Sequence, residues 1–472
     1  MIDPQYVVST VRKQAKDLGT FYKTLDILEG NLEPYVVDSL RRTLSPQVMK
    51  FAVERLMPIN IFPRYVSKLS TIYQTGVMRE VANGSDADSE LLAWYEQQMN
   101  INTIMQSANK LYTSCRSTLI HPYITDEGPR IRAVPNDRFV LCSDDPIEPT
   151  KPTMAILLAG QNSKGCVYWV YTQNEFAVVH EDESIDYAAM NEMGLGDGQN
   201  PYGVLPFVYV NSSDLRLRPV PDIDSIRMTE YIPIAFTDLN LAAMFASFSI
   251  TYTKNTKIEN MVYAPNAVWN LKSDDPDKDP DLGTIKPQVD YAEVIDLVET
   301  ELSLWLDSKG IKAGSLGDVN GGNVSSGIAK VIDEADTYDV RQGQSLRFQM
   351  AEKHLWDLVL RYMHPVWTSQ NLVSNRHQFS ASASVTTKFA LPIVGTQRME
   401  AIQEQQAEYA AGFTTRSRAI AALNPQMTMK EVEDLEMEID MERGMPMEAL
   451  DASQTSESSD QASRGADAGS DI

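Results

Sequence analysis

The chain has 472 residues, 43% of them hydrophobic, which excludes a largely disordered protein and gives room for about three ordinary domains. Lys and Arg number 41 and Asp and Glu 65, a formal charge of −24, so the chain as a whole repels a polyphosphate rather than gripping it. The cysteines Cys115, Cys142 and Cys166 are widely spaced and form no C-x-x-C pair, which excludes a zinc ribbon and points to buried small hydrophobes in a reducing compartment. The opening Met1-Ile-Asp-Pro-Gln-Tyr has no basic segment leading into an apolar one, and no run reaches the ~18 apolar residues of a membrane span. The expected setting is the cytoplasm, with no membrane.

Residues 1–126 read as helical, with Leu18, Phe21, Tyr22 and Leu25 at helical spacing and further stripes from Val48 to Leu56 and Tyr65 to Val77. Pro58 and Pro63 interrupt that pattern, and Asn83-Gly-Ser-Asp-Ala-Asp-Ser is a polar link before a helix from Glu90 to Met99. From Pro129 to Val210 the period shortens. Phe139–Cys142, Met154–Leu158, Cys166–Thr172 and Phe176–His180 alternate with turn residues as strands do, and Val204–Val210 returns as a strand with Pro206 at an edge or irregularity.

A helix is expected from Asp222 to Ile250, with Pro233 at an early position and Leu239–Ile250 apolar nearly all round, hence buried against several neighbours. A short β-like piece (Met261–Leu271) and an acidic loop (Ser273–Gly283) precede a second helix, Val289–Lys309. That helix is two-faced: Tyr291, Val294, Val298, Leu302 and Trp305 make an apolar stripe, whereas Glu293, Asp296, Glu299, Ser303 and Asp307 lie on another side. A soft Gly/Asn/Ser loop, Lys312–Ser326, then runs into a helical pattern from Gly327 to His364, a rod of roughly 55 Å at ~1.5 Å per residue. Gly343 in mid-rod is a candidate kink. Gln378–Phe389 is strand-like, Thr396–Met441 holds two or three helices, and residues 445–472 form a disordered acidic tail.

Motifs for chemistry are missing. There is no Walker A, because Lys330 follows Gly327 at the wrong offset, and Gly194-Leu-Gly-Asp-Gly198 lacks dinucleotide spacing. Asp275, Asp277 and Asp279 match the first positions of an EF-hand loop, but Pro280 and Lys286 stand where glycine and the bidentate glutamate belong. The histidines (His121, His180, His354, His364, His377) are dispersed and read as structural or surface residues. No cofactor, no metal and no enzyme are expected. Taken alone, the acidic face of the second helix reads as a solvated face; in a ring of copies it would line a bore without adhering to a negative polymer.

Five stretches, in order, resemble the portal protein, or head-to-tail connector, of tailed double-stranded DNA bacteriophages. Asn60-Ile-Phe-Pro-Arg-Tyr-Val-Ser-Lys68 is similar to an early "N-x-x-x-R-x-hydrophobic" helix, and Gly203-Val-Leu-Pro-Phe-Val to a "G-x-I-P-hydrophobic-V" strand. Asp222-Ile-Asp-Ser-Ile with Asp238-Leu-Asn240 resembles the helix that follows, and Gly322-Asn-Val-Ser-Ser-Gly-Ile-Ala329 an "N-x-S-G-I-A" element beside the tunnel loop. Gly412-Phe-Thr-Thr-Arg-Ser and Lys430-Glu-Val-Glu-Asp-Leu-Glu-Met-Glu-Ile439 resemble the C-terminal helices. The first 50 residues match nothing in the family, and Thr414-Thr415 stands where serine is commoner.

The resemblance implies an α+β, mostly helical portal fold: a wing (1–221, β-rich at 129–210), a first stem helix (222–252), a clip (253–287) and a second stem helix (288–310). A tunnel loop (311–326), a long wing helix (327–364), a wing return strand (365–395), crown helices (396–444) and the tail would follow. It implies a ring of about twelve copies at one capsid vertex, assembled in the host cytoplasm and carried in the virion, through which double-stranded DNA is packaged and ejected. Terminase and a head-tail adaptor would dock on clip residues Trp269, Asp274, Asp275, Asp277, Asp279 and Lys286; major capsid and scaffolding proteins are further implied partners. Asp318, Val319, Asn320, Gly321, Gly322, Asn323, Val324 and Ser325 would face DNA from the tunnel loop, and Glu293, Asp296, Glu299 and Asp307 would form the acidic face of the stem. The rivals are an adaptor or scaffold without a channel and a soluble acidic hydrolase or nuclease.

Overall fold

Proline placement shapes the N-terminal helices. In the computed structural model, which describes residues 2–74, 76–247, 250–254, 281–285, 291–311, 327–389, 395–424, 427 and 429–444, α1 (Pro4–Lys13), α3 (Glu33–Thr43), α4 (Pro46–Arg55) and α5 (Phe62–Leu69) each carry proline in the first turn. The missing N–H is no loss there. The helix α2 (Ala15–Leu28) lies between the first two. Pro63 therefore opens α5 instead of interrupting a helix. The expected stripe from Tyr65 to Val77 is also corrected: α5 stops at Leu69, and Val77 begins β1 (Val77–Ala82).

The strand β1 pairs antiparallel with the distant segment Ser384–Phe389, Val77 facing Phe389. Next come α6 (Asp86–Met99) and α7 (Ile101–Cys115). The former starts ahead of Glu90 because Ser85 and Asp88 form a reciprocal capping box. Helix then gives way to strand inside the stretch expected to be helical: β2 (Ser117–Thr125) and β3 (Gly128–Val134) form a hairpin. The strands β4 (Phe139–Cys142), β5 (Met154–Asn162), β6 (Gly165–Thr172) and β7 (Phe176–His180) make a four-stranded antiparallel meander in that order. After a short α8 (Tyr187–Glu192), the expected strand from Val204 shrinks to β8 (Val208–Asn211), which closes a three-stranded sheet in the order β3-β2-β8. Pro206 lies outside it.

Helix resumes with α9 (Ile223–Ser247), followed by β9 (Ile250–Lys254) and β10 (Asp281–Ile285), paired antiparallel, and then α10 (Tyr291–Ser308). Pro233 sits inside α9, not near its start. The end of the acidic loop is strand, since Asp281 opens β10; the expected β piece Met261–Leu271 and the rest of that loop lie outside the described residues, as do 445–472. The long helix α11 (Gly327–Asp357) passes through a π-helical turn, Leu358–Met363, into α12 (His364–Ser369). His364-Pro365 does not end the rod, because Pro365 falls in the first turn of α12. The strand β11 (Ser384–Phe389) precedes α13 (Gly395–Ala410), α14 (Arg416–Leu423) and α15 (Met429–Gly444). The fold is thus mixed α/β and mostly helical.

The rod is the central beam. Phe348, Leu355, Trp356, Val359, Met363 and Trp367 are buried with residues of α6, α7, β2 and β8 in one core. A buried ion pair locks the rod to β1: Arg79 donates from Nε and Nη2 to the two carboxylate oxygens of Glu352 at 2.8 and 2.7 Å, and Tyr73 and Trp356 donate to the same carboxylate. Truncating either charge would strand the other in a dry interior. Four of the histidines are held in place by local bonds, as His180 is by Asp186 at 3.1 Å and His364 by Tyr95 at 2.7 Å. Cys115 and Cys142 are buried and Cys166 half-buried, and burial pushes the Cys115 thiol up to about 12. Among the described residues no helix is long and apolar enough to cross a membrane.

Candidate functional site

The segment with the most distinctive chemistry is the pair α9 and α10, which pack on each other and on a bed of N-terminal helices. Part of that bed comes from the first 50 residues, which have no recognised counterpart: Ile27, Leu32, Val36 and Leu40, with Ala52 and Phe62, share a core with Ile226, Leu241, Trp305 and Leu306. Burying each such side chain is worth about 1.5–3 kcal/mol. An ion pair between Lys23 and Glu230 adds a polar tie from α2 to α9.

One carboxylate fixes the base of the pair. Asp222, just ahead of α9, accepts hydrogen bonds from Lys309 Nζ at 2.8 Å, Ser225 Oγ at 2.6 Å and Tyr65 Oη at 3.1 Å. It therefore joins α5, the start of α9 and the end of α10. Burial penalises its charge, but the bonds from Lys309, Ser225 and Tyr65 outweigh that penalty and hold the carboxyl below the usual carboxylate range. The Tyr65 ring also packs against Trp305, tilted, with centroids 5.2 Å apart, so apolar and polar contacts coincide at one corner. Beside it lies a cavity of about 510 Å³ whose lining mixes Asp222 and Asp224 with Arg116, Lys309 and Arg347.

The C-terminus of α10 is equally defined. Gly310 takes φ 69°, the Ile311 N–H bonds to the Leu306 carbonyl at 2.9 Å, and the Gly310 N–H bonds to Asp307 at 3.0 Å. These are the two reversed bonds of a Schellman cap, which needs a left-handed residue where only glycine is unstrained. Ile311, fully buried beside Leu306, completes it with the usual apolar contact. The chain is thus fixed up to Ile311, and α11 begins at Gly327.

The expected two faces of α10 are present. Val298 and Trp305 are buried and Tyr291, Val294 and Leu302 half-buried, whereas Glu293, Asp296, Glu299 and Asp307 are all exposed and Ser303 is half-buried. The acidic side covers 80–200° of the helix circumference at ~100° per residue. The apolar residues at its border were not anticipated: Leu297 and Leu304 are 54% and 65% exposed.

The expectation for α9 is met only in part. Of the apolar stretch, Leu241 is buried, but Leu239, Ala242 and Met244 are half-buried and Ala243 exposed; Ile234 and Phe236 are also half-buried. An all-round apolar helix belongs in an interior. A single chain does not supply one.

The candidate tunnel-loop residues Asp318, Val319, Asn320, Gly321, Gly322, Asn323, Val324 and Ser325 lie outside the described residues, and so do Trp269, Asp274, Asp275, Asp277, Asp279 and Lys286 of the candidate docking loop. The structure thus brings together the acidic face and its anchor. Among the described residues, no group of three or more His, Cys, Asp or Glu side chains is placed to hold a metal ion.

No family model matches the chain, and no curated protein does. Among solved structures, a chain of one titled "Neck of empty GTA particle computed with C6 symmetry" is similar to it, at 9% identity and a TM-score of 0.44, covering 78% of this chain and 90% of that one.

Proposed function

We propose that this protein is a portal-type ring component of a tailed double-stranded DNA virus: a structural protein, not an enzyme, whose copies surround a channel for the genome. The observation that carries the reading is the mismatch on the helix pair. The end of α9 from Leu239 is apolar nearly all round, yet Leu239, Ala242 and Met244 are only half-buried in one chain, while α10 turns an exposed row of carboxylates away from its buried face. Copies set side by side around an axis resolve both facts, since neighbours cover the apolar flanks and the acids face the bore. A negative wall around a negative polymer forms no counterion-releasing contacts, so the polymer slides without sticking. The collinear sequence resemblance supports the same reading.

In this reading residues 222–252 and 288–310 are the stem, 253–287 the clip that docks the packaging terminase and later a head-tail adaptor, and 311–326 a loop touching DNA. The rod lies in the wing, and 396–444 form the crown. Mass measurement of the purified particle, with negative-stain imaging, tests the reading directly: a closed ring of about twelve copies with a central hole is expected. A protein that stays monomeric at every concentration, or assembles without a hole, overturns it. Deleting Asn320–Asn323 is expected to leave rings intact and impair genome packaging or retention.

A further inference from the structure

Arg79, Arg347 and Arg361 each meet a carboxylate, in Glu352, Asp214 and Asp357. Arg132, half-buried on β3, meets none among the described residues. Its Nε and Nη2 donate at 3.1 and 2.9 Å to Nδ1 of His121, the residue opposite it on β2, and its guanidinium lies over the rings of Tyr123 and Trp169 at 4.9 and 5.9 Å. His121 is buried, and burial together with the Arg132 charge holds it well below the ordinary histidine range. A neutral imidazole and two aromatic faces thus fix the direction of the guanidinium without cancelling its charge, and its outer N–H groups stay available.

Arg132 lines a groove of about 200 Å³ where β3 meets β5 and β6, together with Arg138, Leu157, Leu158 and Trp169. Although the chain carries 65 acidic residues, no carboxylate among the described residues lines this groove. Arg138 is paired with its sequence neighbour Asp137 at 3.5 Å, and Arg130, farther along β3, with Glu127. Arg132 is the cation left over. The β5 wall carries a bulge: its register against β6 shifts between Leu158 and Gly160, which leaves Ala159, exposed and part of the same lining, without an opposite residue. Bulges of this kind re-aim side chains and gather beside sites.

We propose that this groove captures an acidic peptide segment of a protein partner, taking one Asp or Glu side chain on Arg132 and an adjacent apolar residue on Leu157, Leu158 and Trp169. The planar fork of Arg132 matches a carboxylate edge. Size selects a peptide over a free metabolite: complete small-molecule sites run to about 300–1,000 Å³, so a groove of about 200 Å³ takes one anchor of a longer chain. Chemistry selects a carboxylate over a phosphate, because a dianion buried on a largely apolar wall needs more donors than one fork supplies. The strand β3 is the outer strand of its sheet, so an extended segment can run along it past the groove. The proposal is independent of the ring reading, since every residue in it belongs to the β-rich region of one chain.

Selection from a random displayed peptide library on the full-length protein tests it. The selected peptides are expected to carry Asp or Glu next to an apolar residue. A fluorescein-labelled peptide of this set is expected to lose at least tenfold in affinity on Arg132→Gln, and as much when its own acid is exchanged for the amide. Ala159→Trp enlarges an exposed lining residue while leaving Arg132 and His121 in place, and is expected to weaken binding to the same degree, which keeps the test decisive if Arg132→Gln fails to fold. An empty selection, selected peptides without an acid, or acidic peptides that bind Ala159→Trp and folded Arg132→Gln as tightly as wild type overturn the proposal. Isovalerate binding at micromolar concentration where no peptide is selected would make the groove a small-molecule site, and displacement of the labelled peptide by a DNA oligonucleotide would make it a phosphate site; either result overturns the peptide assignment.

Discussion

In the proposed ring, reversing Asp296 and Glu299 to lysine should turn a non-adhesive wall into an adhesive one. Both carboxylates are exposed, sit three residues apart on one side of α10, and lie away from Leu297 and Leu304. The formal charge per chain moves from −24 to −20, since each reversal adds two positive charges. The new belt is about 4.5 Å tall, three residues at ~1.5 Å each. A duplex presents one phosphate per ~1.7 Å of axis, so a belt of this height meets about three phosphates at a time. Three contacts give a slope of about −2.7 in log affinity against log salt, or roughly a fortyfold loss of affinity between 50 and 200 mM salt. Fluorescence anisotropy with a labelled linear duplex measures this, and covalently closed circular DNA, which cannot thread a ring, serves as the control. The wild-type ring is expected to bind neither form and the Asp296→Lys/Glu299→Lys ring to bind linear DNA only, with that salt slope. Binding of circles as tightly as linear DNA, or no binding to either by intact variant rings, would show that this face does not meet the duplex.

Three further outcomes follow from the fold. Asp88 is fully buried and accepts bonds from Ser380 Oγ, the Ser380 and Ser85 N–H groups, Ser85 Oγ and His377; Asp88→Ala should therefore destabilise by about 3–5 kcal/mol in urea unfolding, and a loss below about 1 kcal/mol would contradict the packing. Gly343 is helical, and a Cβ there would meet nothing within 4 Å; Gly343→Ala is expected to raise stability by roughly 0.5–1 kcal/mol, and a loss would mean that the rod needs glycine to bend. Burial and the neighbouring His377 hold His364 below the ordinary histidine range, against the opposing bond to the His377 carbonyl. Such a histidine takes up a proton on unfolding, so its contribution is present above the unfolded value of about 6.5 and is lost as pH falls. Stability should drop from about pH 7 to 5, and the drop should be smaller in His364→Gln if the assignment is right.

Elements with a strong local period were legible in the sequence. The helices α9 and α10 and the rod fall within a few residues of expectation, as do β4 and β7, because their apolar spacing is a property of a few consecutive turns or pleats. What escaped depends on residues far away. The strand β1 was hidden in a helical stretch because its partner Phe389 is some 300 positions on, and Pro233 looked like a helix start because nothing local reveals that packing carries α9 through it. The Asp222 clamp unites Tyr65, 157 positions away, with Lys309, 87 positions away, so no motif could have announced it. Within the first 50 residues, without a counterpart in the resembled family, Ile27, Leu32, Val36 and Leu40 proved to belong to the bed of the helix pair, whereas Val7, Val8 and Val11 pack on the four-stranded meander.

The most informative disagreement concerns burial and not secondary structure. Sequence pattern states how much of a helix wants to leave water; a single chain states how much of it does. For α10 the two agree on the buried stripe, and for α9 they diverge over Leu239, Ala242 and Met244. A divergence spread along one helix, with Leu297 and Leu304 exposed on its neighbour, is what the ring proposal expects of a surface that another copy completes. The base of the same pair is tightly packed around Trp305 and tied by the Asp222–Lys309 bond. Loose packing would have spared neither end. If the ring proposal holds, the uncovered flank should disappear from solvent in hydrogen exchange when copies assemble, while the acidic side of α10 stays wet.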